Sequence, residues 1–469
     1  MSDSYDVLVI GGGPAGTAAA LRAAELGAKA AVAEQHRIGG TCVNSGCVPT
    51  RVLAKTARLM REVRTADTYG ITVSEQAVDW PVTVARVRAT VERVQQAKAE
   101  PQKLAGAGVD LLLEGRARFT GPHEVELTGT GRRVRAESVV LCVGGHSRRL
   151  PIPGAELATL PEQVLDLPSV PRRLAVVGAG NTGAQLVTVF EALGAQVTLL
   201  EIAPRILAHT DADVSAAVAA AFVEQGVRVE TSVETVVSLV RTDDGIELTW
   251  RADGQEHRST FDAVITSTGW PASIEGRDLE AAGVVTSRGG VPVDEHLRTN
   301  VPHIYAAGDV NQQSMLVQAA HFEAEAAARN AVLGATSRVR HLLLPAGGFT
   351  DPDYAGVGLT EEQARDRGMT FGVARVDYAS MERPVIDDRT RGFLKLITDG
   401  RREVLLGAHA VGEQAIEVVS AVTASMAAGV DVATLARVEF AYPTYSAVIG
   451  VAARRLMTGS PSTYEHATQ

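Results

Sequence analysis

Two cysteines five residues apart, Cys42 and Cys47 in GGTCVNSGCVPTR, are the side chains of this sequence best suited to do chemistry. Such a pair can cycle between dithiol and disulfide, supply half of a soft metal site, or pack as two buried thiols. In a regular helix a five-residue spacing means an axial rise of about 7.5 Å, outside disulfide reach, so pairing requires a distorted turn. Asn44 and Gly46 suit that distortion. A helix running from Pro49 onward would bring its N-terminal dipole close to Cys47 and favour a thiolate there. A metal site would need two further cysteines or histidines at ligand spacing; their absence favours a redox pair, and no metal ion is expected. Cys142, in VVLCVGG, reads instead as a small core residue.

A working thiol pair needs an electron source, and the sequence offers two dinucleotide cradles. The apolar run VLVI at 7 to 10 leads into Gly11, Gly13 and Gly16 of GGGPAG, then an Ala-rich helical stretch to Leu26. Strand, tight glycine turn and helix N-terminus are what a pyrophosphate requires. Strand AAVAE then ends at Glu34, 23 residues after Gly11, where a carboxylate can hold a ribose hydroxyl. The pattern repeats at LAVV (174 to 177) with Gly178, Gly180 and Gly183 of GAGNTG, a helix through Leu193, and Glu201 again 23 residues on. Two fingerprints imply two dinucleotides with electrons passing between them. Glu201 would repel a 2′-phosphate, which favours NADH, while Arg205 close behind it keeps NADPH possible.

The 469 residues predict two to four domains. Residues 50 to 105 carry helical periodicity, 109 to 145 alternate as short strands, and strands recur from 228 to 268. HIYAAGDV (303 to 310) is a strand and turn before a long Ala-rich helix, and the texture changes again near residue 341. The expected fold is α/β: two Rossmann-like dinucleotide-binding domains and a C-terminal α+β domain. Three cysteines cannot build a disulfide scaffold, so a reducing, cytoplasmic setting is expected. A net charge of -10 without a basic face speaks against nucleic acid. No signal peptide or membrane span is expected.

The cysteine motif, both fingerprints, YAAGDV (305 to 310) and FTDPDYAGVGLTEEQA (349 to 364) together resemble the class I flavoprotein pyridine nucleotide-disulfide oxidoreductases, among them dihydrolipoamide dehydrogenase, glutathione reductase and mercuric reductase. The resemblance implies FAD on residues 1–147 and 275–340, NAD(P)H on 148–274, and a homodimer made by 341–469 whose active site both subunits share. It implies FAD contacts from Gly11, Gly13, Ala15, Gly16, Glu34, Gly40, Thr41, Arg51, Gly144, Gly308 and Asp309, the last on the ribityl chain. Nucleotide contacts are implied for Gly178, Gly180, Asn181, Gly183, Gln185, Glu201 and Gly269. It also implies that hydride from NADH reduces the flavin, which opens a Cys42–Cys47 disulfide through Cys47, and that Cys42, the more accessible sulfur, attacks the substrate.

The sequence departs from that family pattern at several chemical positions. Tyr442 stands where a base histidine belongs and Ala447 where its orienting glutamate belongs. A phenol of pKa about 10 is a poor base near neutrality, so ordinary dithiol turnover should be impaired. Tyrosine there is similar to mercuric reductase, but no cysteine follows Cys142, so the C-terminal thiol relay of those enzymes is not expected, nor is an N-terminal metal-binding domain. Arg51 and Gln185 replace a lysine–glutamate pair, and Asn181 replaces the tyrosine that gates the nicotinamide. The leading expectation is therefore a mercuric-reductase-like enzyme acting on a thiol-bound metal ion or an unusual disulfide, with Cys42, Cys47 and Tyr442 as catalytic residues. The alternatives are a flavoprotein that reduces quinones or oxygen without the cysteines, and a dihydrolipoamide dehydrogenase-like component with a degenerate dyad.

Overall fold

Strand Asp3–Ile10 is apolar over its C-terminal half because both faces of its sheet are covered, as parallel sheets require. It pairs in parallel with Ala30–Ala33 on one side and Arg132–Leu141 on the other, so Ile10 has Ala33 and Leu141 as neighbours. Asp110–Leu112 extends one edge, Ala117–Gly121 and Glu124–Leu127 the other, and Ile304–Ala306 returns to pair with Arg132–Leu141. Helix Pro14–Glu25 packs on this sheet through Ala15, Ala18, Ala19 and Ala23, and helix Val317–Leu333 lies against it. This computed structural model describes residues 3–458 apart from 75, 76, 288 and 342. The final segment, 459–469, part of the stretch from which the thiol relay is missing, lies outside the described residues.

A second parallel sheet, in the order Ala263–Thr266, Arg173–Val177, Gln196–Leu200, Arg228–Glu230, carries the second fingerprint. A three-stranded antiparallel meander (235–261) packs beside it. The third sheet is five-stranded and antiparallel, built from Ala346–Gly348, Tyr354–Gly358, Leu405–Gly412, Gly392–Asp399 and Phe371–Asp377, and is covered by helices Ala415–Ala427 and Ala447–Thr458. The fold is thus mixed α/β with two Rossmann-like sheets and an α+β C-terminal unit.

The periodic region 50 to 105 is interrupted: helix Cys47–Arg64 stops, and helix Trp80–Lys98 starts anew with Asp79 accepting from the Val82 N–H at 3.0 Å and Pro81 in its first turn. Leu53 and Ala57 of the first helix share a core with Leu186 and Phe190 of helix Asn181–Ala192 and with Tyr354 of the third sheet. That shared core sets the cysteine-bearing helix against the helix of the second glycine fingerprint.

Candidate active site

The two cradles repeat one geometry. Gly11 has φ +105°, and a Cβ there would lie 2.3 Å from the Cys142 carbonyl oxygen; one on Gly16 would lie 1.8 Å from that of Gly11. At the second cradle Gly178 (φ +99°) is 2.3 Å from the Ser267 oxygen on the same test, and Gly183 is 1.9 Å from that of Gly178. The middle glycines differ. A Cβ on Gly180 would meet nothing within 4 Å, and one on Gly13 would meet only Gly40 at 3.7 Å. The outer glycines are therefore demanded by packing, while the middle ones border the open space a pyrophosphate needs at a helix N-terminus.

The acids behave alike too. Glu34 accepts from the Gly12 N–H at 2.7 Å and the His36 N–H at 2.8 Å. Glu201 accepts from the Ala179 N–H at 2.5 Å and the Ala203 N–H at 2.9 Å. Each carboxylate is fixed by its own turn and keeps lone pairs for a ribose. Beyond Glu34 a cavity of about 430 Å³ opens between Gln35, His36, Arg116, Arg118 and Asp278.

Gly308 (φ +78°) lets the chain pass between Ala15 and Ala320, and Asp309 follows. Burial holds the Asp309 carboxyl above the usual carboxylate range, partly offset by the Trp270 indole N–H, which donates to it at 2.8 Å. Gly269 (φ +133°) makes the bend that aims Trp270, and Gly144 (φ +66°) opens onto free space. These cradles and a half-buried carboxylate steadied by Trp270 fit a flavin dinucleotide at the first fingerprint and a pyridine nucleotide at the second.

Gly40 takes φ +55°, where a Cβ would strike Gly13 at 2.7 Å, so the cysteine segment is seated directly on the first cradle. The expected distortion is a break between two helices, Gly40–Asn44 and Cys47–Arg64, with the Gly46 N–H on the exposed Thr41's carbonyl at 2.7 Å. Asn44 bonds the Gly40 carbonyl at 3.0 Å and receives Gln95 at 2.7 Å, which pins the break. The second helix begins at Cys47, two residues before Pro49, and so gives that sulfur the full N-terminal field.

Both cysteines are free thiols hydrogen-bonded to each other. Cys42 donates to Cys47, which is drawn down to about 7 by that bond against burial, with further help from the Arg51 charge. Cys42 is correspondingly pushed far up by holding its proton for Cys47 and by burial. Cys47 opens the helix on the side of Arg51 and Asp309, while Cys42 packs near Lys98 and Glu100. Cys142 is buried in the core, and burial raises its thiol.

Arg51, one turn after Cys47, stacks on the Phe349 ring at 3.0 Å and leaves Nη1 buried without a partner. Burial lowers its pKa to about 10. Gln185 turns away and donates to the Asn181 carbonyl at 2.8 Å. Asn181 Oδ1 accepts from Tyr354 at 2.5 Å and faces His209 Nε2 at 2.9 Å. Tyr442 is 75% exposed, and Ala447 opens the last helix. The structure thus gathers Cys42, Cys47, Arg51 and Asp309, and leaves Tyr442 outside that group within one chain. Trp270, Phe349, Tyr354 and His209 were not anticipated. Trp270 directly follows Gly269 and two others lie in FTDPDYAGVG, but no spacing in the sequence says which helix they would meet.

A family model described as pyridine nucleotide-disulphide oxidoreductase matches residues 5–324, and one described as the dimerisation domain of that family matches 344–453. The dihydrolipoyl dehydrogenase of Zymomonas mobilis is 32% identical over 456 residues, 95% of this chain and 96% of that protein. A mercuric reductase of Staphylococcus aureus is 32% identical over 92% of this chain and 78% of its own length. Among solved structures, the HOCl-induced flavoprotein disulfide reductase RclA from Escherichia coli is similar with a TM-score of 0.84 and 25% identity, over 96% of this chain and 99% of that one. Among the described residues no helix is long and apolar enough to cross a membrane.

Proposed function

The chain belongs to the pyridine nucleotide-disulphide oxidoreductase family, NAD(P)H-dependent flavoprotein enzymes, and from that premise we propose that it delivers electrons from NADH through Cys47 and Cys42 to a thiol-bound metal ion or an unusual disulfide. The carrying observation is geometric: two free thiols sit together at the break between two helices, and Gly40 seats that break directly on the first cradle. Of the two, Cys47 is the sulfur drawn down toward neutrality, by Cys42 and by Arg51.

FAD, when bound, supplies the two-electron link between a nicotinamide and a disulfide. The chain's own residues do the rest. Gly13 and Gly180 admit the pyrophosphates, Glu34 and Glu201 hold the riboses, and Asp309, steadied by Trp270, takes the ribityl end. Arg51 places a fixed positive charge one helical turn from Cys47. Cys42, carrying the proton, attacks the acceptor once that proton leaves. With Tyr442 in the histidine's place, no imidazole at that position shuttles a proton to a leaving thiolate, which favours metal–thiolate complexes over ordinary disulfides as acceptors.

The division into FAD (1–147 and 275–340), nucleotide (148–274) and dimerisation (341–469) units belongs to the same proposal; the return of Ile304–Ala306 to the first sheet supports it. So does the matched dimerisation domain for a homodimer in which Tyr442 serves the partner.

The test compares Hg(II), Cu(II), lipoamide, glutathione disulfide and a quinone as acceptors, in wild type and in Cys42→Ser/Cys47→Ser. Turnover with a metal–thiol complex that is lost in the double variant is the expected result. Undiminished turnover without the cysteines would overturn the reading in favour of direct quinone or oxygen reduction.

A further inference from the structure

Arg205 follows Glu201 by four residues and is the cation nearest in sequence to the ribose-binding acid of the second cradle. A cation placed there is the usual means of accepting a 2′-phosphate. In the folded chain its guanidinium is committed elsewhere. Nη1 and Nη2 donate to the two carboxylate oxygens of Glu362 at 2.8 and 2.6 Å, and Nη2 also reaches the Ala208 carbonyl at 3.2 Å. Glu362 belongs to the third sheet's unit, in the short helix Glu361–Asp366.

That helix is not free to drift. Its neighbour Glu361 binds Lys395 at 2.7 Å, and the same ammonium binds Asp211 at 2.5 Å and Asp213 at 2.9 Å, both at the start of helix Ala212–Glu224 of the nucleotide-binding sheet. Lys395 is 3% and Asp211 1% exposed, so the cluster ties the two units together through a buried ion pair, with Asp213 and Glu361 on its wetter side. Adjacent glutamates thus divide the work, Glu361 locking the helix to the buried lysine and Glu362 holding the arginine in a two-pronged bond.

We propose that Glu362 is a nucleotide-specificity residue: it withholds Arg205 from the 2′ position, so that Glu201 alone meets the ribose and NADPH is rejected. The inference rests on the assignment of the second fingerprint to the pyridine nucleotide. Discrimination is then set partly by a residue more than 150 positions away in the chain, in a unit that itself need not touch the nucleotide.

The experiment measures kcat/KM for reduction of the bound flavin by NADH and by NADPH in the holoenzyme and in Glu362→Gln, Arg205→Gln and the double variant. Glu362→Gln should raise the NADPH-to-NADH ratio about tenfold or more, as expected for releasing one arginine–phosphate contact. The double variant should return the ratio to that of wild type, and Arg205→Gln alone should leave it unchanged. Three results would each overturn the proposal: an unchanged ratio in Glu362→Gln, an equal rise in Glu362→Gln and the double variant, or a fall in NADPH use in Arg205→Gln alone. Should Glu362→Gln lose its fold, Glu362→Ala takes its place, with the same rise in the NADPH-to-NADH ratio expected and an unchanged ratio overturning the proposal. Failure of both nucleotides to reduce the flavin of wild type would instead refute the fingerprint assignment.

Discussion

Replacing Cys42 with alanine removes the donor that keeps Cys47 ionised, and the consequence can be worked out in advance. In the native chain that hydrogen bond is the largest influence on Cys47, which falls from an ordinary thiol value of 9.0 to about 7. At pH 7 about half of the Cys47 population is then thiolate, whereas a return toward 9 leaves about 1%. Arg51 and the helix N-terminus still favour the anion in the variant, but burial opposes it, so a loss of thiolate of about 10- to 50-fold at pH 7 is expected. Cys42→Ser keeps a hydroxyl donor and should fall between wild type and alanine. The assay is the pH dependence of iodoacetamide modification of Cys47 in the NADH-reduced enzyme, with the modified peptide identified by mass. A midpoint in Cys42→Ala within half a unit of wild type would show that the cysteine hydrogen bond does not set the reactivity of Cys47, and that Arg51 and the helix field suffice.

Trp270→Phe removes one charge-assisted hydrogen bond to half-buried Asp309 and should weaken FAD binding by about tenfold, read from the flavin released on dilution; unchanged retention would remove Trp270 from the flavin site. Asp353 is pushed up to about 7 by burial, with repulsion from Glu413 and Asp351, so the folded chain holds a proton that the unfolded chain releases near 3.8. Its contribution to stability therefore declines as pH rises from about 4 to 7. Asp353→Asn should accordingly melt with wild type near pH 4 and at a higher temperature above pH 7; an equal shift at both pH values contradicts the argument. Lys395→Met leaves Asp211 buried without its cation and should cost about 3 to 5 kcal/mol in denaturant unfolding. A cost below about 1 kcal/mol would mean that water or Arg375, which pairs with Asp213, takes over.

Much of the site was legible in the chain because its chemistry is local. Each dinucleotide cradle is a strand, a glycine turn and a helix within about thirty consecutive residues, and the glycines are fixed by contacts with their own turn or the neighbouring strand end. The cysteine pair and the distortion between them could be read the same way, since the bond angle of the break is made by Asn44 and Gly46 between them. What did not follow from spacing was the set of charged groups around each sulfur: Arg51 and Asp309 about Cys47, Lys98 and Glu100 about Cys42, drawn from separate stretches of chain.

By itself, then, the sequence determined the two nucleotide sites, the redox pair and the missing histidine, because short-range backbone geometry and residue type decide those. Tertiary structure alone decided the partners: Arg51 on Phe349, Asn181 under Tyr354, Asp309 beneath Trp270 and Arg205 in the grip of Glu362. Long polar side chains carry no mark of their destination. Where each one ends is set by the burial of Leu53, Phe190 and Tyr354 in one core, which brings the cysteine-bearing helix, the second parallel sheet and the C-terminal sheet together and sets the polar groups at their junction against one another.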